Sequence, residues 1–111
     1  MGREDLSFAS PCDQLRIVYY CWPAVGAAHG VVQIAHGLGE HALRYAHVAA
    51  FLNEAGFHVY ANDHRGHGQT AESPDSYGDF GERGWNAVVS DTAALTSMSD
   101  RTNRIAGAAR P

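Results

Sequence analysis

Two short runs in this chain concentrate the residue types that could do chemistry. The first is His36-Gly37-Leu38-Gly39-Glu40-His41, and the second is Asp63-His64-Arg65-Gly66-His67-Gly68. Each sets titratable side chains beside glycines, so backbone N–H groups as well as side chains can approach a ligand closely. Preorganised N–H donors are what a carbonyl oxygen needs when it gathers negative charge during acyl transfer. The same glycines also suit a plain tight turn, and in isolation the turn is the simpler account. The seven histidines raise a second chemistry, metal ligation through His64-x-x-His67 or through His36 with His41. Neither spacing is a recognised zinc pattern, so these side chains are read as structural or solvent-facing and no metal or cofactor is expected. A Gly-x-Ser-x-Gly, which would place a serine nucleophile on a sharp strand-to-helix turn, occurs nowhere in the chain. Ser73 and Ser76 fall in a polar stretch with no evident base beside them.

The elements around the two runs are legible from periodicity. Val31, Val32, Ile34 and Ala35 form a short apolar run, as in a buried strand. From Ala42 to Ala55 the period lengthens, with Tyr45, Val48, Ala49, Leu52 and Ala55 on one helical face. Gly56 stands where a helix ends in a left-handed residue. Phe57 to Ala61 is a second strand, and strand, helix, strand at this spacing is a βαβ unit with parallel strands. Each chemical run therefore sits at the carboxyl end of one of these strands. Upstream, Leu6 and Phe8 alternate with small residues, Ser10-Pro11-Cys12-Asp13 is turn chemistry, and Leu15 to Trp22 is a strand stopped by Pro23. These read as an antiparallel hairpin packed through Tyr19 and Tyr20. Val25 to Gly30 is a small, flexible connector.

Downstream, Gln69 to Gly81 is loop-like, and Gly84 to Met98 regains a helical period. There Trp85, Val88, Val89, Thr92 and Leu95 share a face taken as core, while Asp91 and Glu82 lie outside it and are read as solvated. Ser99 to Pro111 has Ile105 as its sole large aliphatic residue, so no strand is expected there and the segment is read as a disordered tail. The expected organisation is one partial domain over 1–98 followed by that tail.

Taken together, the His36–His41 run, Arg44-Tyr45 and the Asp63–Gly68 run resemble the α/β-hydrolase superfamily. The branch they are most similar to is the monoacylglycerol lipase and lysophospholipase-like one, also called serine aminopeptidase S33. The resemblance implies an α/β fold of which this chain is the N-terminal portion: a hairpin, the βαβ unit and a second helix. It implies a serine hydrolase of carboxyl esters, with a small ester or lipid as substrate and no cofactor. By motif matching, Leu38 donates the oxyanion N–H. His36 is not the base, because the family's catalytic histidine comes late in the chain. His36 is expected to bond backbone near its loop, Glu40 to hold the loop's shape or favour the next helix, and Asp63 and Arg65 to pair with each other or with backbone. With no nucleophile elbow, the chain is expected to be an inactive fragment, interrupted near residue 98; the alternative is a short, non-catalytic interaction protein. Without the neighbouring nucleophile strand, Val31–Ala35 becomes an open sheet edge, and self-association is expected.

Composition bounds the rest. A length of 111 residues suits one domain. The net charge is −4, Lys is absent and the eight cations are scattered Arg, so neither nucleic acid nor an anionic membrane is an expected partner. Cys12 and Cys21 lack a metal or redox spacing and are read as free thiols. No apolar signal core or run of membrane-spanning length is present, and a cytoplasmic location is expected.

Overall fold

The computed structural model describes residues 2–37, 39–72, 78, 80 and 84–105, with side chains through Ser99. Strands β1 (Glu4–Ala9) and β2 (Arg16–Trp22) form the antiparallel hairpin, with Glu4 opposite Cys21 and Ala9 opposite Arg16. β3 (Gly30–Ala35) leads through one 3₁₀ turn (Ala42–Tyr45) into α1 (Ala46–Glu54), which returns to β4 (Phe57–Asn62). β3 and β4 are parallel, Gly30 beside Phe57 and Ala35 beside Asn62, so both loops leave the same end of the sheet. β4 also pairs antiparallel with β2, giving the strand order β1-β2-β4-β3. The last described element is α2 (Gly84–Ile105).

Alternation along the strands sends side chains to two cores. Val18, Tyr20 and Trp22 of β2 join Val59 and Ala61 of β4 against Ala42 and Ala49, with Leu43, Ala46 and Leu52 at the margin. On the other face Tyr19, Cys21 and Tyr60 meet Leu95, flanked by Phe8, Val31 and Met98. Tyr19 and Tyr60 stack with ring centroids 6.4 Å apart. The sheet thus has α1 on one face and α2 on the other, the arrangement a parallel pair needs to bury both sides. Gly56 ends α1 at φ +95°, and a side chain there would strike His29.

Three expectations change. The helical face of α1 is rotated slightly: Ala42 and Ala49 are buried, while Ala55 and Phe51 are exposed. The buried stripe of α2 is Ala87, Val88, Asp91, Leu95 and Ser99, whereas Trp85 and Val89 are 67% and 50% exposed. Asp91, read as solvated, is only 1% exposed, because it sits in step with Val88 and Leu95. α2 also continues past Met98 to Ile105, into the stretch read as a tail. Glu82, Ser73 and Ser76 lie outside the described residues, as do 106–111. Cys12 and Cys21 are both free, the first in the hairpin turn and the second buried in β2. Among the described residues no helix is long and apolar enough to cross a membrane.

Candidate functional site

The loop after β3 is a turn closed by the Glu40 N–H donating to the Gly37 carbonyl at 3.1 Å. Gly39 takes φ +80°, a left-handed value that a residue without a Cβ reaches at no steric cost. The Glu40 carboxylate folds back over the turn. Its Oε1 accepts the Gly37 N–H at 2.7 Å and the Tyr45 hydroxyl at 2.7 Å, and Oε2 lies 3.3 Å from Arg44 Nε. The Tyr45 hydroxyl, then the Gly37 amide, hold Glu40 below the usual carboxylate range. Glu40 therefore does hold the loop's shape. The Gly39 N–H donates to His67 Nε2 at 3.0 Å, across to the other loop. Every described amide of this turn is thus committed inside the protein. Leu38, the expected oxyanion donor, lies outside the described residues.

The loop after β4 is buried from Asp63 to His67. Asp63, 1% exposed, organises it. Its Oδ1 accepts the Ala42 N–H at 2.8 Å, supplying the cap that His41 does not give the helical segment. Its Oδ2 accepts the Tyr20 hydroxyl at 2.8 Å and the Gln69 N–H at 2.9 Å. Burial, then the bond to this carboxylate, raises the Tyr20 phenol well above its ordinary range, so it stays a donor. A side chain at Gly68, whose φ is +49°, would collide with the Asp63 carboxylate.

Arg65, expected to pair with Asp63 or with loop backbone, instead turns away to two other elements, the hairpin turn and α2. Its Nη1 meets Asp13 Oδ2 at 2.8 Å, its Nε meets Asp91 Oδ2 at 2.9 Å, and its Nη2 donates to Ser10 Oγ at 2.9 Å. Ser10 Oγ in turn donates to Asp91 Oδ1 at 2.6 Å. The hairpin turn, the β4 loop and α2 are tied through one guanidinium that is 2% exposed. The paired Arg65 lowers Asp13 to about 2, and bonds to Asp13, more than offsetting burial, raise Arg65. Sequence reasoning missed this cluster. The signal available was Asp91 at helical spacing from Val88 and Leu95, a carboxylate in an apolar stripe that must have a cation nearby.

Three of the seven histidines come together between the loops. The His36 ring lies 4.1 Å from that of His64 and 5.2 Å from that of His67, centroid to centroid. His36 Nδ1–H donates to the Gly37 carbonyl at 2.7 Å, because its Nε2 already accepts the His64 N–H at 3.0 Å. His64 Nε2–H donates to the His36 carbonyl at 3.1 Å, while its Nδ1 is buried without a partner among the described residues. His67 Nδ1–H donates to the Arg65 carbonyl at 3.0 Å. Burial, chiefly, pushes His36 and His64 below the usual imidazole range. His36 does bond backbone at its loop. With Nε2 of both His36 and His67 filled by amides, neither can act as a base or a ligand from that atom. His41 is exposed and stands apart from the cluster. Among the described residues no group of three or more His, Cys, Asp or Glu is disposed to hold a metal ion.

Between the two loops lies an open cleft of about 570 Å³, walled by Gly39, Glu40 and His41 on one side and Gly66, His67 and Gly68 on the other. Ligands of open α/β sheets bind at this end, outside the carboxyl ends of parallel strands.

The chain compares closely with known proteins over these elements. The family model for serine aminopeptidase, S33, matches residues 26–107. A monoacylglycerol lipase of Mycolicibacterium smegmatis is 50% identical over 68 residues, which is 61% of this chain and 24% of that protein. Protein K6 of vaccinia virus is 33% identical over 63 residues, 57% of this chain and 78% of that protein. The crystal structure of a thermostable carboxyl esterase from Bacillus coagulans in complex with glycerol superposes with a TM-score of 0.84 at 35% identity, covering 94% of this chain and 34% of the esterase. The match to the lipase therefore spans about a quarter of its length.

Proposed function

The chain belongs to the serine aminopeptidase S33 family and forms an N-terminal portion of an α/β-hydrolase fold, and from that premise we propose that it supplies the oxyanion side of a carboxyl-ester hydrolase site. The substrate class proposed is a monoacylglycerol or lysophospholipid, in line with the lipase and esterase relatives. The observation that carries the reading is the Gly37–Glu40 turn. It stands at the carboxyl end of β3, opens on the cleft, and commits the Gly37, Gly39 and Glu40 amides elsewhere. Those commitments support Leu38 as the donor. In the intact reaction a serine attacks the ester carbonyl, a histidine takes its proton, and the oxygen anion is met by two N–H groups. Leu38 is proposed as one of them. The nucleophile, acid and base lie outside this chain's motifs. Ser10, the most deeply buried serine among the described residues, is bonded to Asp91 and Arg65.

This chain expressed alone is accordingly expected to have no turnover. Labelling with a serine-reactive fluorophosphonate and hydrolysis of a short p-nitrophenyl ester check it. The expected result is neither labelling nor saturable release; stoichiometric labelling of one serine with turnover overturns the proposal.

A second reading, a non-catalytic interaction protein, draws on the other side of α2. Among the described residues β3 has a partner strand on one side alone, and its run carries no Lys or Pro to blunt the edge. Beside it an apolar groove of about 400 Å³ runs between Ala35, Trp85, Val88 and Val89. Self-association through this edge is expected at micromolar concentration, read by size-exclusion chromatography with light scattering. A monodisperse monomer with a cooperative thermal transition removes this reading.

A further inference from the structure

Gly39 is the soft point of the turn. It is exposed, it has no Cβ, and a side chain there would meet nothing within 4 Å, so local packing does not hold it. Among the described residues its N–H is held by a bond to His67 Nε2 at 3.0 Å. His67 can accept there because its proton sits on Nδ1, and the proton sits on Nδ1 because the Arg65 carbonyl, 3.0 Å away, accepts from it. Arg65 in turn is immobilised by Asp13, Asp91 and Ser10. The ring itself is 4% exposed and is packed by Phe80, 5.6 Å between centroids, and by His36. A continuous line of contacts therefore runs from the buried guanidinium to the substrate-facing turn.

We propose that His67 is a positioning residue for this turn: its Nδ1–H tautomer, imposed by the Arg65 carbonyl, fixes the Gly39 amide and so the orientation of the turn toward the cleft. The inference rests on the reading of the turn as the oxyanion loop only for its catalytic consequence. Its geometry stands apart from that reading.

Solid-state ¹⁵N NMR, which is indifferent to assembly size, reads the tautomers of the unmodified chain. The expected pattern is Nδ1–H at His67 and His36 and Nε2–H at His64; Nε2–H at His67 overturns the proposal without any variant. Hydrogen exchange at Gly39, resolved by fragmentation mass spectrometry and corrected for intrinsic rates, reads the bond itself. His67→Leu is expected to speed that exchange roughly tenfold, and His67→Gln, which keeps an acceptor near the Nε2 position, to restore protection. Equal exchange in the Leu and Gln variants reduces His67 to a space filler and overturns the proposal. In a full-length relative, unchanged kcat in Leu38→Pro with Gly39 still under His67 control removes the oxyanion reading and leaves the positioning role standing.

Discussion

The two loops at the carboxyl ends of β3 and β4 differ in what shapes them. The β4 loop is a block: Asp63, His64, Arg65 and His67 are each less than a tenth exposed, and its charges are bonded to the hairpin turn, the helical segment at Ala42 and α2. The β3 loop is thin and exposed, and its two glycines are held by side chains that lie outside its peptide path, Glu40 Oε1 folding back and His67 Nε2 reaching over. Buried charges can hold a loop rigid only if every partner is in place. The β3 turn carries one holding group of its own, Glu40, and takes the other, His67, from the β4 loop. The difference teaches that rigidity is built into one loop and lent to the other.

Breaking the block is expected to have the largest effect. Asp91→Ala leaves the buried Arg65 guanidinium with Asp13 and Ser10 but without its one buried carboxylate, and is expected to cost about 3–5 kcal/mol in urea or thermal unfolding. Adding Arg65→Met to it is expected to cost less than the two single losses combined, because the uncompensated charge goes with its partner. A loss below about 1 kcal/mol for Asp91→Ala would show that water replaces the pair and that the block is not a block.

Next comes the lent loop. In a full-length relative, Leu38→Pro removes one backbone donor and is expected to lower kcat by roughly a hundred- to a thousandfold, with a smaller change in KM. Circular dichroism must show the variant folded. A folded variant with unchanged kcat assigns the donor elsewhere.

Tyr20→Phe sharpens the comparison by removing one of the donors to Asp63 while leaving the Ala42 and Gln69 amides. The expected loss is about 1–2 kcal/mol, since one lone pair of a buried carboxylate goes unmet. A neutral result in unfolding experiments would mean that the two amides suffice.

Acid titration tests the histidines shared between the two loops, with the smallest expected effect. His36 and His64 have folded-state values below the ordinary 6.5, so the unfolded chain binds protons first. Their contribution is present above pH 6.5 and is lost as pH falls below it. Asp13 is lowered from 3.8 to about 2, so its contribution is lost only between those values, and it is modest because the side chain is 42% exposed. Unfolding midpoints measured from pH 8 downward are therefore expected to decline in two stages. A flat profile to pH 4 would contradict the neutral histidine cluster.

Much of this was written in the sequence. The periods of 2 and 3.6 marked the hairpin, β3, α1, β4 and the start of α2 within a few residues, because each element buries one face and its composition must repeat with its geometry. Gly56 announced its positive φ, and the His-Gly and Asp-x-Arg-Gly-His-Gly runs announced the family, since those constraints are local to a few consecutive residues. What the tertiary structure alone decided is which polar group meets which. Arg65 lies two residues from Asp63 yet bonds Asp13, Asp91 and Ser10, at separations of 52, 26 and 55 residues. Nothing local distinguishes those partners from other carboxylates, and Asp91 looked solvated because a charge on a helix usually is. The tautomer of His67 was equally hidden, because it depends on a carbonyl whose direction is set by the packing of three elements around one guanidinium.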